Sequence, residues 1–165
     1  GEVRAADEVL RNWDRIKARE AGRERGIFAE VPENLPSLLY ARKVQRRAAS
    51  SGFDFPGVEG PLEAVRDELE ELAAVADGDA ERARDARFHE LGDVLFAAVN
   101  VARKLKIDPE LALRAASDRF RARVEAGAAL AARDGRAWEE LSSDEQLAYY
   151  ARARMTEPEP GDRDA

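Results

Sequence analysis

The chain contains no cysteine. Disulfides, thiolate metal sites and a thiol nucleophile are therefore excluded, and a reducing compartment is permitted. Histidine occurs once, as His89, which removes the zinc motif H-E-x-x-H and the Glu-x-x-His pairs of di-iron bundles. No G-x-x-x-x-G-K-[ST] motif is present, so a P-loop is absent as well. No apolar run approaches the ~20 residues that span a bilayer, and the opening GEVRAADEVL is too charged for a signal peptide; cytoplasm is the expected setting. The chain starts without Met and is read as a fragment whose natural N-terminus lies elsewhere. Basic charge is in deficit, with 27 Lys and Arg against 34 Asp and Glu and a net charge of −7. That balance argues against a nucleic-acid polymer or an anionic membrane as main partner.

What is present is helical. VLRNWDRIKARE places Val9, Trp13 and Ile16 at helical spacing, and LPSLLYARKVQRRAAS wraps Leu38 and Leu39 around an amphipathic cylinder. AGRERGIFAEVPENLP and SGFDFPGVEGP read as loops, from their Gly and Pro content. Pro61 and Pro109 suit first helical positions, and SSDE at 142–145 reads as a capping box. No segment alternates with period two and β-branched enrichment. The expectation is all-α: an antiparallel bundle of five to six helices, completed by dimerisation, over residues 1–155. Residues 156–165 are polar and Pro-rich and are expected to form a disordered tail.

The chemistry lies in the third and fourth helices. Leu62, Val65, Leu69, Leu72 and Ala76 form an apolar stripe, Glu68 falls beside its edge, and Glu71 lies further round on the same side. An acidic helix of this kind is most often simply a solvated face. HELGDVLFAAVNVARKL, residues 89–105, shifts that balance. Leu91, Leu95, Ala98, Ala102 and Leu105 define one apolar face, and Val94, Phe96, Val99 and Val101 spread it, so the helix is expected to be buried nearly all round. Glu90, Asp93, Ala97 and Asn100 share the remaining strip. Two acid pairs at i,i+3 on neighbouring helices would repel unless divalent cations bind among them. All-oxygen ligation suits Mg²⁺, or Mn²⁺, and Mg²⁺ commonly binds with substrate phosphates.

DELEEL at 67–72 and ELGDVLF at 90–96 together resemble the E-E-x-x-E…E-x-x-D signature of the MazG family of all-α nucleoside triphosphate pyrophosphohydrolases. LPSLLYARKVQRRAASSGFDFP resembles the lead-in to the second, catalytic domain of two-domain MazG proteins, and NVARKLKIDPELALRAASDRFRAR resembles the segment C-terminal to its acidic motif. The likeness runs from about Leu10 to Arg154 and departs at Asp67, which replaces the first Glu of the signature. It implies Mg²⁺-dependent hydrolysis of (d)NTPs to (d)NMP and pyrophosphate, a nucleotide-pool housecleaning activity, in a homodimer or dimer of dimers. Carried over residue by residue, Glu68, Glu71, Glu90 and Asp93 would be the metal-binding and catalytic acids. Arg87, Asn100, Arg119, Arg123, Tyr150 and Arg154 would contact the substrate, a Trp being more usual at the position of Tyr150. Two alternatives stand beside this reading. One is a non-catalytic helical dimerisation or regulatory module with a structural Mg²⁺ site, which has no need of both acid pairs and the Arg119/Arg123 pair together. The other is a relative of narrower substrate, such as a dUTP pyrophosphatase or the phosphoribosyl-ATP hydrolase of histidine synthesis, which the long flanking likeness disfavours.

Overall fold

The computed structural model describes residues 2–158. Among these there are six α-helices, a short 3₁₀ turn at Trp138–Glu140 and no strand. The helices are α1 (Glu2–Arg25), α2 (Ser37–Ser50), α3 (Glu59–Ala76), α4 (Ala80–Lys104), α5 (Pro109–Arg133) and α6 (Ser143–Met155). None is long and apolar enough to cross a membrane. The chain divides into two compact units, Gly1–Glu110 and Leu111–Ala165.

Local chemistry sets most helix ends. Asp108 Oδ1 accepts from the Glu110 N–H at 2.9 Å, so Pro109 takes the first helical position, where its missing N–H costs nothing. The capping box at α6 is complete: Ser142 Oγ accepts from the Glu145 N–H at 3.2 Å, and Glu145 Oε1 accepts from the Ser142 N–H at 3.1 Å. At α3 the expectation was late. The helix starts at Glu59, so Pro61 is its third residue, still within the first turn, where no intrahelical donor is required. Helix α1 likewise runs on to Arg25, through a segment read as loop.

α2, α4 and α5 end in Schellman turns. After α2, Gly52 has φ +99, and the Phe53 N–H reaches the Ala48 carbonyl at 3.1 Å. After α4 the same turn is made by Lys106, with φ 58, and the Ile107 N–H reaches the Ala102 carbonyl at 2.9 Å. A side chain in this region is costly, and the usual glycine signal is missing, so the end of α4 cannot be read from composition.

In the first unit α3 and α4 pack as a hairpin, and α2 packs against α4. Burial on α4 reverses the sequence expectation. Ala97 and Val99 are buried and Glu90, Asp93 and Asn100 are half-buried, whereas Leu91, Leu95 and Leu105 are 49–51% exposed. The strip carrying the acids therefore has the covered surroundings, and the leucine face expected to form the core is left open by the described residues of this unit. On α3, Leu62 and Leu69 are also exposed.

A charged clamp holds the α2–α3 connection to α4. Asp54 accepts from Arg103 Nη1 at 3.3 Å and from Lys104 Nζ at 3.4 Å, and Lys104 Nζ also donates to the Phe55 carbonyl at 2.7 Å. The hydrogen bond from Arg103, aided by the charges of Arg103 and Lys104, brings the Asp54 carboxyl down to about 2. A depressed folded-state value means stability that is fully present above the unfolded value of 3.8 and lost as pH falls through about 2. Thermal melts should accordingly show Asp54→Asn less stable than wild type at pH 7, with the two converging towards pH 2; a constant gap would mean that the clamp is not electrostatic.

In the second unit Ala131, Leu141 and Tyr149 form a small core, packed by Leu130 and Trp138. A Cβ on Gly127 would lie 3.3 Å from the Tyr150 amide nitrogen, so α5 meets the backbone of α6 at a point only a very small residue fits. Tyr149 Oη donates to Asp134 at 2.6 Å, fastening α6 to the end of α5.

Candidate metal centre

The α3–α4 hairpin brings one acid from the second helix against two from the first. Carboxylate oxygens of Glu68, Glu71 and Glu90 all lie within 4.8 Å of one another. Glu68 and Glu71 share an edge of α3 because they are three residues apart. The hairpin closes through Arg87, whose Nε donates to the Val75 carbonyl at 2.8 Å and whose Nη2 donates to the Gly78 carbonyl. That guanidinium satisfies carbonyls at the end of α3 and sets the register between the helices. Arg87, expected from the sequence to contact substrate, thus spans the turn of the hairpin in this structure.

Electrostatically the three acids are in conflict. The Glu90 carboxyl is held above the ordinary carboxylate range, first by burial, then by the charge of Glu71 and a hydrogen bond with it, and then by the charges of Glu68 and Asp93. Glu68 Oε2 and Glu90 Oε2 are buried and accept no hydrogen bond. Unpaired buried carboxylate oxygens are expensive unless a cation meets them. Three hard oxygen donors with two orphaned atoms fit a divalent ion of the Mg²⁺ or Mn²⁺ type. Asp93, the fourth expected ligand, is outside the close group. It lies one turn along α4, with Oδ2 3.3 Å from His89 Nε2, and its charge still bears on Glu90.

Asn100 stands further along the same strip. Its Oδ1 accepts from Arg103 Nε at 2.9 Å, and it lines a cavity of about 310 Å³ with Gln45, Phe53, Asp54, Phe55, Phe96 and Arg103. Only Asn100 of these was singled out from sequence. The contribution of Phe53 and Phe55 depends on the Asp54 clamp, which joins residues 49 and 50 positions apart and leaves no local pattern.

The remaining expected contacts belong to the second unit. Arg123 pairs in a bidentate manner with Glu157, at 2.8 and 2.9 Å. Glu157, and after it Tyr150, raise the affinity of that guanidinium for its proton. The Glu157 carboxyl is correspondingly lowered, by Arg123 first and also by the charges of Arg154 and Arg119. Tyr150 in turn lies 6.1 Å, centroid to centroid, from Phe120. Arg119, Arg123 and Arg154 thus act on one carboxylate, and Tyr150 acts on Arg123. Glu157 was assigned to the tail from sequence; residues 159–165 of that tail lie outside the described residues.

No family model matches the chain. Individual proteins do. The nucleoside triphosphate pyrophosphohydrolase/pyrophosphatase MazG of Thermotoga maritima is 35% identical over 147 residues, covering 87% of this chain and 54% of that protein. The nucleoside triphosphate pyrophosphohydrolase of Escherichia coli K12 is 34% identical over 123 residues, covering 72% and 45% respectively. The uncharacterized protein YabN of Bacillus subtilis is 36% identical over 157 residues, covering 94% and 32%. The chain spans about half the length of the first two and about a third of the last.

Proposed function

Since the chain belongs to the MazG family, we propose that it is a nucleoside triphosphate pyrophosphohydrolase, releasing pyrophosphate and a monophosphate from (d)NTPs with Mg²⁺ or Mn²⁺. The observation that carries this reading is the close group of Glu68, Glu71 and Glu90, with its two orphaned buried oxygens. These residues would hold the cation, with Asp93 joining them on release from His89. When bound, the ion supplies positive charge against the polyphosphate and acidifies water.

The chain's own groups supply the rest. In the reaction, water attacks the α-phosphorus, the bond from that atom to the bridging oxygen of pyrophosphate breaks, and the proton lost by water passes to a carboxylate. At 1.5 Å per residue, Phe96 stands ~9 Å and Asn100 ~15 Å along α4 from Glu90. That is the span from the phosphates of a nucleotide to its base, so the 310 Å³ cavity suits the nucleoside. Within their own unit Arg119, Arg123 and Arg154 form a cationic group already arranged around an anion, and guanidinium forks match phosphate as they match carboxylate.

Incubating the purified chain with each common ribo- and deoxyribonucleoside triphosphate plus Mg²⁺, then resolving products, tests the reading. Monophosphate and pyrophosphate are expected in equal amounts; diphosphate and orthophosphate, or no product, would refute it.

The uncovered leucine face of α4 supports a homodimer, or a dimer of dimers, as the functional form, because an exposed stripe of this kind is normally buried by a second copy. Light scattering at micromolar concentration should give at least twice the chain mass. A fully active monomer would overturn this assembly. The missing cysteines accord with a cytoplasmic enzyme.

A further inference from the structure

Gln45 on α2 is 5% exposed. Its Nε2 donates to the Phe96 carbonyl on α4 at 2.9 Å, and its Oε1 is buried without a donor. The bond to Phe96 fixes which end of the amide is which, since only the nitrogen can face a carbonyl. The other end is then purely an acceptor. Gln45 also lines the 310 Å³ cavity, together with Phe53, Phe55 and Phe96. The other side-chain acceptors there, Asn100 Oδ1 and the Asp54 carboxylate, already accept from Arg103, and Asp54 also from Lys104. A pocket with flat apolar walls and one unspent acceptor suits a planar heteroaromatic ring bearing an N–H on its edge.

We propose that Gln45 is a specificity-determining residue, whose Oε1 accepts a hydrogen bond from an edge N–H of the nucleobase. Every common base carries such a donor, as a ring N–H or an exocyclic amino group. The chain therefore accepts them broadly, and rejects bases that lack one. A pocket built around a polar partner discriminates strongly against the analogue that omits it, because its own buried group is then left unpaired. The inference rests on the nucleotide reading above.

The test compares ATP with purine riboside triphosphate, which lacks the amino group and has no edge N–H. Wild type should prefer ATP by about tenfold or more in kcat/KM. Gln45→Met keeps the length and removes the acceptor, and should bring that ratio to about one, with the loss falling on ATP. Equal losses for both substrates would mean that Gln45 only packs α2 against α4, and would overturn the proposal, as would an unchanged ratio. Calorimetric binding of adenosine and purine riboside to wild type, without metal or turnover, provides an arm that needs no variant. Equal affinities there overturn the role of Gln45 even if Gln45→Met fails to fold. Preference for adenosine without hydrolysis of any triphosphate would instead uphold the role of Gln45 while sinking the enzymatic reading.

Discussion

Glu90→Gln should abolish turnover while leaving the helical circular dichroism unchanged. Glu90 is the acid that faces both Glu68 and Glu71 across the hairpin, so losing its charge removes the ligand on which closure of the site depends. Cations of this kind contribute several kcal/mol of charge stabilisation, and the expected fall in kcat is roughly 10²–10⁴-fold. Stability should move the other way. In the metal-free protein the substitution removes a charge that Glu71, Glu68 and Asp93 all oppose, so the melting temperature should stay level or rise. Wild type should gain about 2.7 kcal/mol from Mg²⁺ at a hundred times its Kd, and Glu90→Gln should lose that gain. Near-normal activity in the variant would remove the proposed metal site.

Asp93→Asn separates a set of three ligands from a set of four. The sequence expectation is that it also abolishes turnover, and the structure supplies the way: the His89 contact at 3.3 Å is an exposed pair of the kind that contributes little, so the carboxylate is free to turn towards the ion. Full turnover in Asp93→Asn, with none in Glu90→Gln, would leave the three glutamates as the entire ligand set.

Features governed by local chemistry were legible in the sequence. The Ser142 capping box and Pro109 behind Asp108 depend on neighbours within one turn, and the structure has both; of the i,i+3 acids it brings Glu68, Glu71 and Glu90 together and leaves Asp93 outside that group. Features governed by tertiary partners were not. A 3.6-residue period finds an apolar face on α4 without saying whether another helix covers it, and the Leu91 and Leu95 face proved to be the open one. Nothing local to Gln45 sets it apart on its amphipathic helix; only the Phe96 carbonyl opposite it makes its remaining oxygen informative. Glu157 lay among residues with no hydrophobic pattern, and its significance comes from Arg123, 34 positions away.

That pairing shapes the second large effect, the one expected of Arg123→Ala. If the guanidinium serves polyphosphate charge, every triphosphate loses the same contacts when it is removed. Catalytic efficiency should then fall by similar factors for ATP, GTP, CTP and UTP, by about 1.5–3 kcal/mol or roughly 10–150-fold. In the structure the same fork is occupied by Glu157, so a phosphate must displace a carboxylate of like geometry to reach it. Glu157→Ala should therefore lower KM several-fold for all four substrates, the opposite sign from its neighbour, because a competing anion has been removed from among three arginines. A loss in Arg123→Ala confined to one base would mean that the arginine reads the nucleobase, and a raised KM in Glu157→Ala would mean that the carboxylate positions Arg123 for substrate instead of competing with it. Steady-state kinetics on the four triphosphates with both variants decides between these outcomes.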